Sequence, residues 1–447
     1  MIIKYHWYFR LALLLIAFTL LLSLVVRFNE PSLLFTAGLF FSVGSLVSLP
    51  GKNYRIFQIS YLWLIVFSVV QVFFFLSEYN QPFDKGGDDG YFYESWILAG
   101  FTDLEVAFAD YNPYKTFVLP QIYLLKFINF LGLNSTHSFH INLSNTFVGA
   151  FIPVFVFNAS KRFLSARMAQ FVAAFVVFYP FFNYQIVKIL RDVHVYLLFT
   201  IAFYVLTTHL KIVIKAVVLA VILFLIFHLR KEAILYFLVL IGSYAFFINK
   251  STVVRIWIVS LVFISFGIAY YVINSVFGLG ISDIARFSQA YDELRQETEG
   301  SSSLATMLKN AGLIGKLVSV PYVWLSPLPP PVLFSINLMN ILISIGCLFW
   351  YYLVPRGALE LFRRCRKETE GNKALVKALM TTFIIGSLFI SYTSGDPRHL
   401  LIFFPCFVIF CFGYFENRKM QYELNLNYIT IFIGGLGIGA YLYLKIL

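Results

Sequence analysis

The chain has 447 residues, of which 60% are hydrophobic, 19% aromatic and only 13% charged, and it carries a net charge of +12. That much apolar surface exceeds what one soluble core can bury. Uncharged apolar runs recur from end to end, each near the roughly 20 residues that cross a ~30 Å hydrocarbon layer.

Backbone polar groups have no water partner in hydrocarbon, so these runs must be helices. The first follows Lys4 and Arg10 without a small-residue cleavage site. It therefore reads as a span rather than a removed signal. Spans are predicted at about 8–27, 31–49, 56–77, 141–158, 168–186, 192–209, 211–228, 233–248, 254–274, 332–354, 374–393, 399–415 and 427–445. The expected fold is an all-α, polytopic transmembrane bundle of about 13 spans, with a long outer loop of short interfacial helices. It divides into three N-terminal spans (1–77), a first outer loop (78–140), central membrane helices (141–274), a second outer loop (275–331) and C-terminal membrane helices (332–447).

With the N-terminus placed inside, 20 of the 34 Lys and Arg fall on the cytoplasmic side against five of the 22 carboxylates. Such an excess of base inside is the usual orienting signal. It accounts for the net charge, and nucleic acid is excluded as a partner. Cys347, Cys406 and Cys411 fall in spans and Cys365 in a cytoplasmic loop. None is placed for an extracytoplasmic disulfide, and all four read as small buried hydrophobes.

Both long loops lie on the outer side in this topology. The first is aromatic, with helical apolar spacing over 91–99 and 117–130, which predicts short helices along the membrane surface. The second has a charged stretch over 292–303 and then a stiff entry, Ser326-Pro327-Leu328-Pro329-Pro330-Pro331.

Gly86-Gly87-Asp88-Asp89-Gly90-Tyr91 is the sharpest feature. Two adjacent carboxylates beside a low-dielectric surface push one pKa up, which suits a general base. The plain alternative is a solvated turn, since Gly and Asp favour turns. The stretch Asp88-Asp89-Gly90-Tyr91-Phe92-Tyr93-Glu94, then Asn112-Pro113-Tyr114 and Leu119-Pro120-Gln121-Ile122-Tyr123, resembles the first extracytoplasmic loop of GT-C membrane glycosyltransferases. The likeness is to the protein mannosyltransferase and aminoarabinose transferase type. It continues through Asn142 to Arg167, a span ending in a basic turn, then Tyr179-Pro180, Ile189-Leu190-Arg191-Asp192, His228-Leu229-Arg230-Lys231-Glu232 and Gly395-Asp396-Pro397-Arg398-His399 followed by Pro405, in order over roughly 80–420. Two spans precede the acidic loop's own span here, where the family usually has one, and Trp96 replaces a small residue.

That resemblance implies inverting transfer of a sugar from a polyprenyl phosphate donor to a hydroxyl of a lipid-linked or cell-envelope glycan. The site would face the outer side of a bacterial inner membrane. Asp88 would be the base with Asp89 in reserve, and Asp192 would orient the acceptor or help hold a divalent metal. Arg191, Arg230, Lys231, Arg398, Tyr91 and Tyr114 would bind substrate, the cations neutralising the leaving phosphate. Other readings stand beside these. Arg230 and Lys231 could snorkel at a helix end, Arg191-Asp192 could be a local pair capping a helix, and Arg398 could anchor its span. His137 and His140 read as surface residues, with no third ligand beside them.

Two other functions fit the class. A lipid-linked polysaccharide polymerase or ligase would lean on outer-loop arginines, and the first loop has only Lys85, Lys115 and Lys126. A flippase or transporter would place ionisable or broken positions in mid-membrane, in paired halves. Here the span centres are nearly free of charge and no internal repeat is found.

Overall fold

A computed structural model of the chain describes residues 2–49, 51–83, 88–108, 114–258, 338–393, 397–417 and 425–432, together with 260, 261, 264, 267, 423, 434 and 435. The second outer loop, most of the span expected at 254–274 and much of that at 427–445 lie outside the described residues. The protein is all-helical, with no strand among the described residues. It forms two compact units. The first is Met1–Lys231 with Asn337–Gly346, and the second is Glu232–Ile336 with Cys347–Leu447.

In the first unit the long helices are α1 (Ile2–Phe28), α2 (Ser32–Val47) and α3 (Asn53–Tyr79). The first long loop follows with α4 (Asp88–Tyr91), a π-helix at Phe92–Leu98, α5 (Ala99–Thr102), α6 (Leu104–Phe108) and α7 (Lys115–Phe130). Then come α8 (Phe139–Ala150), α9 (Ile152–Ser160), α10 (Ala166–Phe178), α11 (Pro180–Ile186), α12 (Asp192–Thr207) and α13 (Ile212–Leu229). Among the described residues seven helices are long and apolar enough to cross a membrane, or eight if a bent pair counts as one span. This is the make-up of a multi-pass membrane protein. About 13 spans were expected; the runs at 32–47, 192–207 and 404–416 are apolar but shorter.

The bent pair is α10 with α11, turned by 59°. Its cause is local: Pro180 brings no N–H, and Tyr179 before it is driven to ψ 112°. Close approach elsewhere depends on glycine. A Cβ on Gly44 of α2 would run into the Phe57 ring of α3, the small-residue contact that lets membrane helices meet.

Polar contacts gather the turns of this unit into two ends. At one end Arg10 donates to Gln58 (3.1 Å) and Gln58 to Ser45 (3.2 Å), while Asn158 donates to Asn53 (3.1 Å). Arg162 there meets His209 (2.7 Å). This end carries basic residues and, among those described, no carboxylate. The other end holds the turn around Glu30, the helices of the first long loop, the start of α12 and the end of α13. In chain order these turns alternate between the ends, as the charge pattern requires.

In the second unit, α14 (Ile234–Ile248) packs along Glu370–Thr393. Arg356 of Leu338–Lys367 is wholly buried. It donates to Glu423 (2.9 Å), Asn427 (2.6 Å) and Thr430 (3.2 Å) and lies 3.6 Å over the Tyr352 ring. Burial of such a charge requires partners of this kind. All four cysteines are free and buried, as their sequence context leads one to expect.

Candidate functional site

The first long loop is anchored to the long helices through an apolar core. Phe92, Tyr93, Trp96 and Ile97 of the π-helix and Phe117, Val118, Ile122 and Leu125 of α7 cluster with Ile141, Ile189, Leu190 and Leu229. A Cβ on Gly100 would meet Ile122 and Ala107, so α5 lies flush on its neighbours. The π register widens one turn of helix, a feature that often marks functional sites. Here it faces Phe92, Tyr93, Trp96 and Ile97 inward together.

Asp88 is the first residue of α4 and Asp89 the second; Asp89 is buried, 3% exposed. From this helix a row of rings leads towards the membrane helices. Tyr91, 52% exposed, meets Trp96 edge-on with centroids 6.3 Å apart. Trp96 meets Tyr114 at 6.0 Å, and Tyr114 also packs against Phe92 at 4.7 Å. Arg191 lies over the Tyr114 ring, 4.9 Å from its centroid. A guanidinium on an aromatic face contributes about 0.5–1 kcal/mol when exposed and about 2 when desolvated.

Arg191 also donates to the Leu229 carbonyl at 2.9 Å, one of the acceptors left over at the end of α13. Next to it, Asp192 opens α12 and pairs with Arg230, the residue that caps α13. Both charges suit their helix ends, an acid at an N-terminus and a base at a C-terminus. The local Arg191–Asp192 pair considered from sequence is thus replaced by a crossed arrangement. Arg191 reaches α13 and the loop, and Asp192 takes Arg230.

The turn carrying these residues is itself fixed. Asn142 of α8 donates to the Val187 carbonyl at 2.6 Å, and Asn145 donates to the carbonyls of Lys188 and of Leu190, the latter at 3.0 Å. Neither asparagine was singled out by sequence, nor was His194, whose ring meets Phe117 edge-on at 5.6 Å. Lys231 starts a 3₁₀ turn, Lys231–Ala233, directly after Arg230. Arg398 sits in a 3₁₀ helix of the second unit, Pro397–Ile402, and is half-buried. Asn112-Pro113 and Gly395-Asp396 lie outside the described residues.

His140 is not the surface residue it looks like in sequence, while His137 is half-buried. His140 is wholly buried. His137 stacks near Phe28 with centroids 4.0 Å apart, and burial pushes its imidazole down to about 4. Among the described residues no three of His, Cys, Asp and Glu come together as a metal cluster. A carboxylate helix, an aromatic row and two arginines at one end of a helical bundle can receive a hydroxylated ring and an anionic group. No protein-family model, curated protein or solved structure matches this chain.

Proposed function

We propose that this chain is a membrane glycosyltransferase of GT-C type. It moves a sugar from a polyprenyl phosphate donor to a hydroxyl of a lipid-linked or cell-envelope glycan, with inversion, on the outer side of a bacterial inner membrane. The observation that carries this reading is the run from α4 through Tyr91, Trp96 and Tyr114 to Arg191. It joins paired acids to a cation through aromatic faces at the end of the bundle opposite its basic turns.

In the reaction, Asp88 takes the proton of the acceptor hydroxyl as its oxygen attacks the anomeric carbon. The bond from that carbon to the phosphate oxygen breaks, and the lipid phosphate leaves. Tyr91 and Tyr114 offer ring faces to the sugar. Arg191, Arg230 and Lys231 oppose the charge that grows on the phosphate. Asp192 is a positioning residue, holding Arg230 across the helix ends.

The test is to reconstitute the purified chain in vesicles with polyprenyl phosphate sugars and, separately, polyprenyl pyrophosphate sugars. Acceptor-dependent release of polyprenyl phosphate is the expected result. Turnover of pyrophosphate donors alone would make it a polymerase or ligase, and lipid movement without transfer would make it a flippase.

A further inference from the structure

At the end of the first unit away from α4, two turns bring cations together. The turn between α9 and α10 carries Lys161 and Arg162. The turn between α12 and α13 carries His209 and Lys211, and Lys215 follows in the first turn of α13. Arg162 Nη1 lies 2.7 Å from His209 Nε2. A guanidinium only donates, so the imidazole accepts and ties the two turns together. Lys215 turns back to donate to the Leu206 carbonyl at 3.3 Å, near the end of α12, where it feels the charge of Arg162. Arg162, His209 and Lys211 are exposed, and Lys215 is half-buried.

Like charges held this way repel each other, and no carboxylate among the described residues stands at this end to offset them. An anion seated between Arg162 and Lys215 turns that repulsion into attraction. The guanidinium has donors enough to meet both the ring and a phosphate oxygen. The surroundings select the kind of anion. α13 is long and apolar enough to cross a membrane, and its first turns bear Ile212, Val213, Ile214 and Val217, all exposed. A ligand over the cations therefore has exposed apolar side chains along the same helix. A free phosphate leaves these uncovered, whereas the chains of a lipid cover them.

We propose that Arg162, Lys211 and Lys215, with His209 holding Arg162 in place, bind the phosphate headgroup of an anionic lipid whose chains lie along the exposed start of α13. The seated headgroup neutralises the cluster and fastens the turn after α9 to the turn before α13. The site lies at the opposite end of the unit from α4 and Arg191, and it stands whether or not the chain transfers sugars.

The full chain is purified in detergent and titrated separately with phosphatidylglycerol, phosphatidylcholine and inorganic phosphate. Bound lipid is counted by native mass spectrometry, and stability is followed by thermal unfolding. Wild type should bind phosphatidylglycerol in preference to phosphatidylcholine and be stabilised by it, and inorganic phosphate at the same concentration should have no effect. Arg162→Gln combined with Lys215→Gln should weaken phosphatidylglycerol binding roughly 30-fold, about fivefold per cation. Lys126→Gln, which removes a cation packed on Phe101 at the other end, should not weaken it. Undiminished binding in the double variant, or equal binding of the two lipids, would overturn the proposal. Stabilisation by inorganic phosphate alone would overturn it in favour of a site for free anions. A phosphatidylglycerol with a photoreactive headgroup, added to the wild type, gives a reading that no folding defect can blur. Its adducts should fall within 161–167 and 208–217, and adducts confined to other segments would overturn the proposal.

Discussion

Asp192 and Arg230 stand 38 positions apart and close an ion pair between the first residue of α12 and the cap of α13, with side chains 6% and 12% exposed. Removing one partner of a pair this buried leaves the other uncompensated, at about 3–5 kcal/mol. Asp192→Asn and Arg230→Gln should each lower the unfolding midpoint, and the double substitution should recover most of the loss. Sugar transfer should stay low in the double variant, because the cation is gone. A double-mutant cycle in detergent with parallel activity measurements checks both statements.

The contact of Arg191 with Tyr114 makes a separate prediction. Tyr114→Phe keeps the ring and should leave donor use within about twofold of wild type, since the cation–π term belongs to the face of the ring. Tyr114→Ala should loosen the start of α7, seen as faster hydrogen exchange over 115–130. Arg191→Ala should raise the donor KM more than it lowers kcat.

His137 sets an acid limit. Its Nδ1 accepts from the Phe139 N–H at 3.1 Å, a bond that protonation would destroy. With a folded pKa of about 4 against an ordinary 6.5, its contribution is complete above about pH 6.5 and is lost as pH falls towards 4. His137→Gln, which does not titrate, should flatten the loss of thermal stability between pH 7 and 5, a loss of about 1–2 kcal/mol in the wild type.

The elements of the first long loop were legible in the sequence because their apolar spacing is helical and local. The two ends of the first unit were legible in its charges. The partners of those charges were not. Sequence sets Arg191 beside Asp192, yet at a helix start the two side chains diverge, and only the return of α13 brings Arg230 to the acid. The burial of His140 was invisible for the same reason: its partners Ser32 and Thr36 lie more than 100 positions away. An isolated histidine looks like a surface residue until its hydroxyl partners are known. The π register escaped too, since over so short a segment its apolar spacing is close to that of an α-helix.

Topology can be checked on the intact chain. Single cysteines at Ser302 and Asn372, in a background lacking the native four, should label from opposite sides of the membrane, Ser302 from outside. Labelling from one side alone would break the orientation on which the site assignment depends.

If the acids of α4 do chemistry, turnover should fall when their charge is removed. Sugar transfer from a polyprenyl phosphate donor is measured for wild type, Asp88→Asn and Asp89→Asn, purified at equal yield, with thermal stability measured in parallel. Asp88→Asn should lower turnover about 10²–10⁴-fold, the usual worth of a positioned base. Asp89→Asn, which alters a buried side chain, should cost less turnover and more stability. Loss of activity in Asp89→Asn alone would move the base by one residue. Transfer near the wild-type rate in both variants would contradict the account and leave α4 as only a turn of helix.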